Sequence, residues 1–221
     1  MTTQIQADRS QPALVHGARL PWVASPEPGV ERRMLERAGG EVAIASTIVR
    51  YAPQSNFHSH THGLGEEFIV LDGIFSDEGG HYPPGTYVRN PPGSKHAPFS
   101  RDGCIIFVKL RQMQSDESEQ VRVYEKDRQW TEVIDGYAQA LLYSNGRTSV
   151  WLERSKPGVR VPPRSVPRGE ELFVLNGMLQ LLDSDRPVLE AWSWLRHPGD
   201  RHPELVSETG AMWWVKRGHL A

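Results

Sequence analysis

Three histidines at alternating positions, His58, His60 and His62, are followed in the same stretch by Glu66 and Glu67. On an extended strand alternate side chains share a face, so this spacing predicts three imidazoles turned the same way. Buried imidazoles gain little from one another, but a divalent cation makes their convergence favourable, with a neutral ring nitrogen as the ligand atom. A glutamate closing the run adds an oxygen donor. Adjacent strand residues face opposite ways, so only one of Glu66 and Glu67 can join such a group. A further ligand must come from elsewhere in the chain. The segment Gly85 to His96 offers it, because Pro91, Pro92 and Gly93 shape a turn that presents His96.

The elements that must carry these residues occur twice. Tyr51-Ala-Pro through Gly65-Glu66-Glu67 to Val70-Leu71-Asp-Gly73 recurs as Ser155-Lys-Pro through Gly169-Glu170-Glu171 to Val174-Leu175-Asn-Gly177, at a constant offset of 104 residues from Glu66 to Glu170. Such self-similarity signals two copies of one structural unit. Glycine and proline, 20 and 17 of 221 residues, punctuate short apolar runs in the rhythm of an all-β fold. Strands are predicted over Glu41–Tyr51, Thr86–Arg89 and Cys104–Leu110 in the first copy, and over Tyr137–Leu142, Ser149–Arg154, Trp192–Leu195 and Ala211–Lys216 in the second. The polar run Gln112–Gln120 reads as the connector. The expected organisation is an N-terminal arm over 1–20, a first domain over 21–112, a linker over 113–120 and a second domain over 121–221.

The two histidine-bearing segments resemble the paired motifs of the cupin superfamily. His60, His62, Glu66 and Gly73 meet the first motif, and Gly85, Pro91, Gly93 and His96 meet the second. The resemblance implies two tandem jelly-roll barrels, also described as double-stranded β-helices, with His60, His62, Glu66 and His96 as metal ligands in the first. His58 with His60 forms a rival pair. The spacing to glutamate and glycine favours His60 with His62 and leaves His58 at the pocket mouth or on the surface. Gln54 stands where the first motif begins with glycine, and Ser100 where the second ends with asparagine. Over residues 57 to 96 the wording is similar to the cupin domain of the ChrR anti-sigma factors. That resemblance implies one divalent ion, zinc first, with iron(II), manganese or nickel as alternatives, and a regulatory, stress-sensing role. The sigma-binding zinc motif of that family, His, three residues, Cys, two residues, Cys, is missing, so a sigma-factor partner is not expected.

In the second copy Arg164 and Val166 replace His60 and His62, whereas Glu170 and His202 keep the other two places. An Arg164–Glu170 ion pair in place of a metal is expected there, with a small anion on Arg164 as a further reading. Asp77, Glu78 and His81 read as a polar turn, with a second ion as the less favoured alternative. The seven tryptophans, Trp192, Trp194, Trp213 and Trp214 among them, are expected in core and interface positions. Cys104 opens an apolar strand and is expected to be packed rather than reactive.

Net charge is −2, with no basic stripe, which disfavours nucleic-acid binding. A lone cysteine excludes an intramolecular disulfide. Neither a signal-peptide core nor a membrane-length apolar stretch is read, so the expectation is a soluble, cytoplasmic protein, with a homodimer and a small-molecule ligand as candidate associations. A four-ligand metal site supports two kinds of work. The first, which the resemblance favours, is a closed zinc site with a regulatory, stress-sensing role. The other is an open site of a metal-dependent dioxygenase acting on a small diketone or aryl ketone.

Overall fold

The computed structural model describes residues 3–40, 42–182, 185 and 187–220. Apart from two short 3-10 turns, Gly17–Arg19 and Glu125–Asp127, the regular structure of these residues is antiparallel strand. None of their helices is long and apolar enough to cross a membrane. The chain forms two compact units. One takes the residues up to Ala7 together with Leu20–Asp127, and the other takes Asp8–Arg19 together with the residues from Arg128 onward.

In the first unit the large sheet runs in the order Thr3–Ile5, Val30–Gly39, Ala43–Tyr51, Cys104–Leu110, Glu66–Gly73, Tyr87–Asn90, Val121–Val123, with Val23–Ala24 laid on Val30–Gly39. A smaller sheet of Gly80–Tyr82, Phe75–Asp77, Phe99–Ser100 and Ser55–Asn56 accompanies it, together with a two-residue ladder of His60–Thr61 on Lys95–His96. The core draws on both sheets: Val49, Phe68, Val70, Ile106 and Val108 of the large sheet pack with Phe75 and Tyr82 of the small one. Alternation explains the choice. Phe68 and Val70, like Ile106 and Val108, are two residues apart and so face one side. Two sheets closed on a shared apolar interior make a jelly roll.

The second unit repeats the plan. Its large sheet runs Trp130–Ile134, Tyr137–Ser144, Ser149–Ser155, Ala211–Arg217, Glu170–Leu181, Ser193–His197, Ala13–His16. The small ladder of Arg164–Ser165 on Arg201–His202 stands where the first unit has His60–Thr61 on Lys95–His96. The repeated glycines are fixed by the backbone. Gly73 and Gly177 sit at φ 67° and 75°, and a Cβ on either would lie 2.2 or 2.1 Å from the carbonyl oxygen of Gly103 or Gly210, the residue just before the neighbouring strand. Gln54 adopts φ 61° where its counterpart Gly158 has 77°, so the glutamine keeps the conformation of the missing motif glycine.

Three expectations change, and one falls partly outside the described residues. Within the expected N-terminal arm over 1–20, Ala13–His16 is instead the last strand of the second unit, paired with Ser193–His197. The run 113–120 is not a loose connector, because Met113 is buried and Glu117 pairs with the buried Arg89 of the first unit, which extends to Asp127. Trp194, Trp213 and Trp214 are fully buried, but Trp192 occupies a half-buried turn at φ 67°. Glu41, at the head of one expected strand, lies outside the described residues, and that strand is described from Ala43.

Candidate metal centre

The ladder register sets the site. His60 lies directly opposite His96, and Glu66 opens an inner strand of the large sheet, opposite Asn90 on one side and Leu110 on the other. His62 follows two residues after His60, and its amide is held by the Ser94 carbonyl at 2.9 Å. The three imidazoles meet edge to face, with ring centroids 4.7 to 5.1 Å apart. One ligand atom from each of His60, His62, Glu66 and His96 lies within 4.8 Å of all the others, a group able to hold one metal ion. Glu66 Oε1 is 3.6 Å from Nε2 of both His62 and His96.

Hydrogen bonds assign the tautomers. His60 Nδ1 donates to the His58 carbonyl at 3.2 Å. Ser94 Oγ donates to the Pro91 carbonyl at 2.6 Å and therefore accepts from His62 Nδ1 at 3.0 Å. His96 Nδ1 donates to Asp77 Oδ2 at 3.0 Å. Each ring thus spends its N–H outward and leaves the Nε2 lone pair facing the others. The Nε2 atoms of His62 and His96 are buried with no hydrogen-bond partner. Leaving such atoms unsatisfied is costly, whereas a cation would satisfy both, so the residues fit a metal. Three nitrogens and one carboxylate oxygen suit zinc, iron(II), manganese or nickel.

Burial dominates at His62 and lowers its pKa. Burial would lower His96 as well, but the Asp77 hydrogen bond and the charges of Glu66 and Asp77 outweigh it and raise that ring instead. Burial likewise opposes the charged form of Asp77, yet hydrogen bonds from His96, Tyr82 and the Gly79 amide hold its carboxyl below the usual range. Asp77 stands with Glu78 and His81 at the turn of the hairpin that pairs Phe75–Asp77 with Gly80–Tyr82, the expected polar turn, but Glu78 accepts from the Ala97 amide at 3.0 Å and His81 meets Ser76 Oγ at 2.9 Å, so the three do not converge on a second ion. Only the fold brings Asp77 behind His96. Carboxylates in this position fix the ring and raise its basicity. Asp77→Asn should weaken metal binding by about 10- to 100-fold, read by competition against a chromogenic chelator; unchanged affinity would count against this role.

His58 is not one of the four clustered residues. The strand Ser55–Asn56 ends before it, and only His60–Thr61 is paired, so the alternation assumed for three rings fails at residues 57–59. His58 contributes its carbonyl to His60, and its exposed ring borders a cavity. That cavity, of about 480 Å³, is lined by His60, His62 and Glu66 on one side and by Val49, Tyr51, Phe57, Val108 and Leu110 elsewhere. Its size suits a small-molecule ligand. The metal-ligating face is therefore reachable. Cys104 is buried in the core, and burial pushes its thiol up to about 11, which removes it from any chemistry near neutral pH.

The second unit treats the equivalent space differently. Arg164, opposite His202 as His60 is opposite His96, contacts Glu170 at 3.2 Å and Glu153 at 3.3 Å. Arg217 contacts Glu170 at 3.0 Å and also pairs with Glu153, and His202 Nε2 lies 3.2 Å from Glu170. By the strand registers, Glu153 and Arg217 take the places of Val49 and Leu110. Two residues that line the cavity in one barrel are thus an ion pair in the other. Burial would raise the Glu170 carboxyl, but Arg164, His202 and Arg217 outweigh it and bring it down to about 2. The expected Arg164–Glu170 pair is present, within a network that local sequence did not announce.

Two jelly-roll units in one chain, the first with clustered histidines and a glutamate, define a bicupin. The chain belongs to the ChrR cupin-like domain family, which matches residues 10–114 and again 118–221. No curated protein matches the sequence. Among solved structures, similar ones include a candidate dioxygenase of Nostoc punctiforme, with 14% identity over 94% of this chain and 82% of that one at a TM-score of 0.72. Another is AerE of Microcystis aeruginosa, with 16% identity over 89% and 95% at 0.67. A third is the oxalate decarboxylase of Bacillus subtilis, studied for its Mn(II) centres, with 12% identity over 94% and 77% at 0.67. At these identities the likeness speaks for the fold.

Proposed function

We propose that the first barrel holds one divalent metal through His60, His62, Glu66 and His96 and presents it to a small molecule in the adjoining cavity, as a metal-dependent dioxygenase acting on a small diketone or aryl ketone. The observation that carries this reading is the cavity itself, which exposes His60 and the ligating face beside a largely apolar wall. A closed structural site has no use for such a space. Iron(II), manganese or nickel, held by His60, His62, Glu66 and His96, would supply Lewis acidity and room to coordinate a ligand. The chain's own part is to fix the donors and limit water. Asp77, Ser94 and the His58 carbonyl orient the three rings, Asn90 Nδ2 donates to Glu66 Oε1 at 3.3 Å, and Val49, Phe57 and Val108 give the ligand an apolar bed.

A zinc-dependent regulatory module is the second reading, supported by the family match and by a set of four protein donors, the number that a closed structural zinc site uses. Elemental analysis followed by oxygen-uptake measurements separates the two. Iron(II)-loaded protein that consumes oxygen with a 1,3-diketone or aryl ketone supports the enzyme. Zinc bound as purified, with no uptake by the iron-loaded form on either substrate class, overturns it in favour of the regulator.

A further inference from the structure

The cavity beside the metal ligands holds two arginines that no carboxylate among the described residues engages. Arg32 lies on the strand Val30–Gly39 directly opposite Val49, and opposed residues of an antiparallel pair share a face, so its side chain rises from the face that carries Val30 and Val49 into the core. Its Nε is buried with no hydrogen-bond partner. The next arginine, Arg33, stacks on Trp22 at 4.3 Å, and Arg50 both stacks on Trp22 and pairs with Glu31. Arg32 has neither outlet.

Arg111 is placed more pointedly. It follows the strand Cys104–Leu110 at φ 60°, a left-handed conformation that costs an L residue energy and favours glycine. The second barrel does use glycine there: Gly218 has φ 79°, and its amide bonds the Gly169 carbonyl at 3.0 Å just as the Arg111 amide bonds that of Gly65 at 2.9 Å. The first barrel keeps a strained arginine at the equivalent point, a pattern associated with functional sites. Its guanidinium crosses Gly63, the residue after His62, so closely that a Cβ on Gly63 would lie 2.5 Å from Nη1. The charge is thereby brought against the metal-binding loop. Glu27, exposed, and Glu66 are the acidic residues of the same wall; with a divalent ion on Glu66, positive charge predominates.

We propose that Arg111, assisted by Arg32, binds a carboxylate on the ligand, so that the substrate of this site is a small ketone carrying an acid group and an apolar body. The planar guanidinium matches a carboxylate bidentately, and the remaining wall, Val30, Val49, Phe57, Val108 and Leu110, suits an aryl or alkyl skeleton. This rests on the reading of the cavity as a ligand site given above.

Calorimetric titration of the full-length protein, metal-free and zinc-loaded, with 4-acetylbenzoate and with its uncharged methyl ester tests it. The acid should bind about 10- to 100-fold more tightly than the ester. Arg111→Gly installs the residue found at Gly218 and should melt no lower than the parent, yet reduce the preference to about threefold or less; Arg111→Lys should retain part of it. Arg32→Gln should lower it by a smaller factor. Equal affinity for acid and ester in the parent, or a preference that Arg111→Gly leaves intact, overturns the proposal. Preference for the acid in both metal states, with no gain on zinc loading, supports the arginine clamp while counting against a metal-bound ketone. Failure of every form to bind either compound overturns the cavity reading and the clamp with it.

Discussion

Alanine at both His60 and His62 is expected to lower metal affinity by ~10³-fold or more, since the free energy of a four-ligand site of this kind is on the order of 10–16 kcal/mol and half the donors would be gone. The two residues differ in exposure, and that makes the pair informative. His60 is exposed at the cavity, so its loss removes a donor and little packing. His62 is buried against Ser94, Glu66 and His96, so its loss also opens space in the ladder. Chelator competition reads the affinity, and a melting curve of the metal-free forms separates donor loss from disturbed folding. Stoichiometric metal retained by a folded double variant would refute the ligand assignment.

Alanine at Glu170 should destabilise the protein by about 3–5 kcal/mol, because Arg164, Arg217 and His202 would then converge with Glu153 as their remaining counter-charge. The buried network replaces both the metal and the cavity of the other barrel, so its loss cannot be healed by solvent without opening the unit. The pH dependence carries a definite sign. The Glu170 carboxyl is held at about 2 against an ordinary 4.5, so its contribution is fully present above pH 4.5 and is lost as pH falls from there through about 2, a difference on the order of 3 kcal/mol. Urea unfolding of the parent and of Glu170→Gln across that range should show the parent's extra acid sensitivity disappear in the variant. A change below about 1 kcal/mol at neutral pH, or identical acid profiles, would contradict this account of the second barrel.

The four clustered residues and the two-barrel plan are legible in the sequence for a physical reason. A metal site needs donors at fixed spacing on a strand and a turn, and a duplicated unit repeats its glycines, as at Gly73 and Gly177, wherever the backbone tolerates nothing larger. What escaped depends on contacts between distant residues. Asp77 gives no local sign that it stands behind His96. Glu153 and Arg217 look like ordinary strand charges until the ladders bring them face to face. Val30–Gly39 carries Glu31, Arg32, Arg33, Glu36 and Arg37, with no apolar alternation, because Glu36 is buried through Ser46 rather than exposed. Ala13–His16 is a strand only because Ser193–His197, far along the chain, offers it an edge.

Metal content per chain tests the central claim most directly. Protein loaded with excess iron(II) or zinc, desalted and analysed for metal should hold one ion per chain, because the first barrel converges four donors and the second fills the same place with Arg164. Two ions per chain, or none, would contradict it.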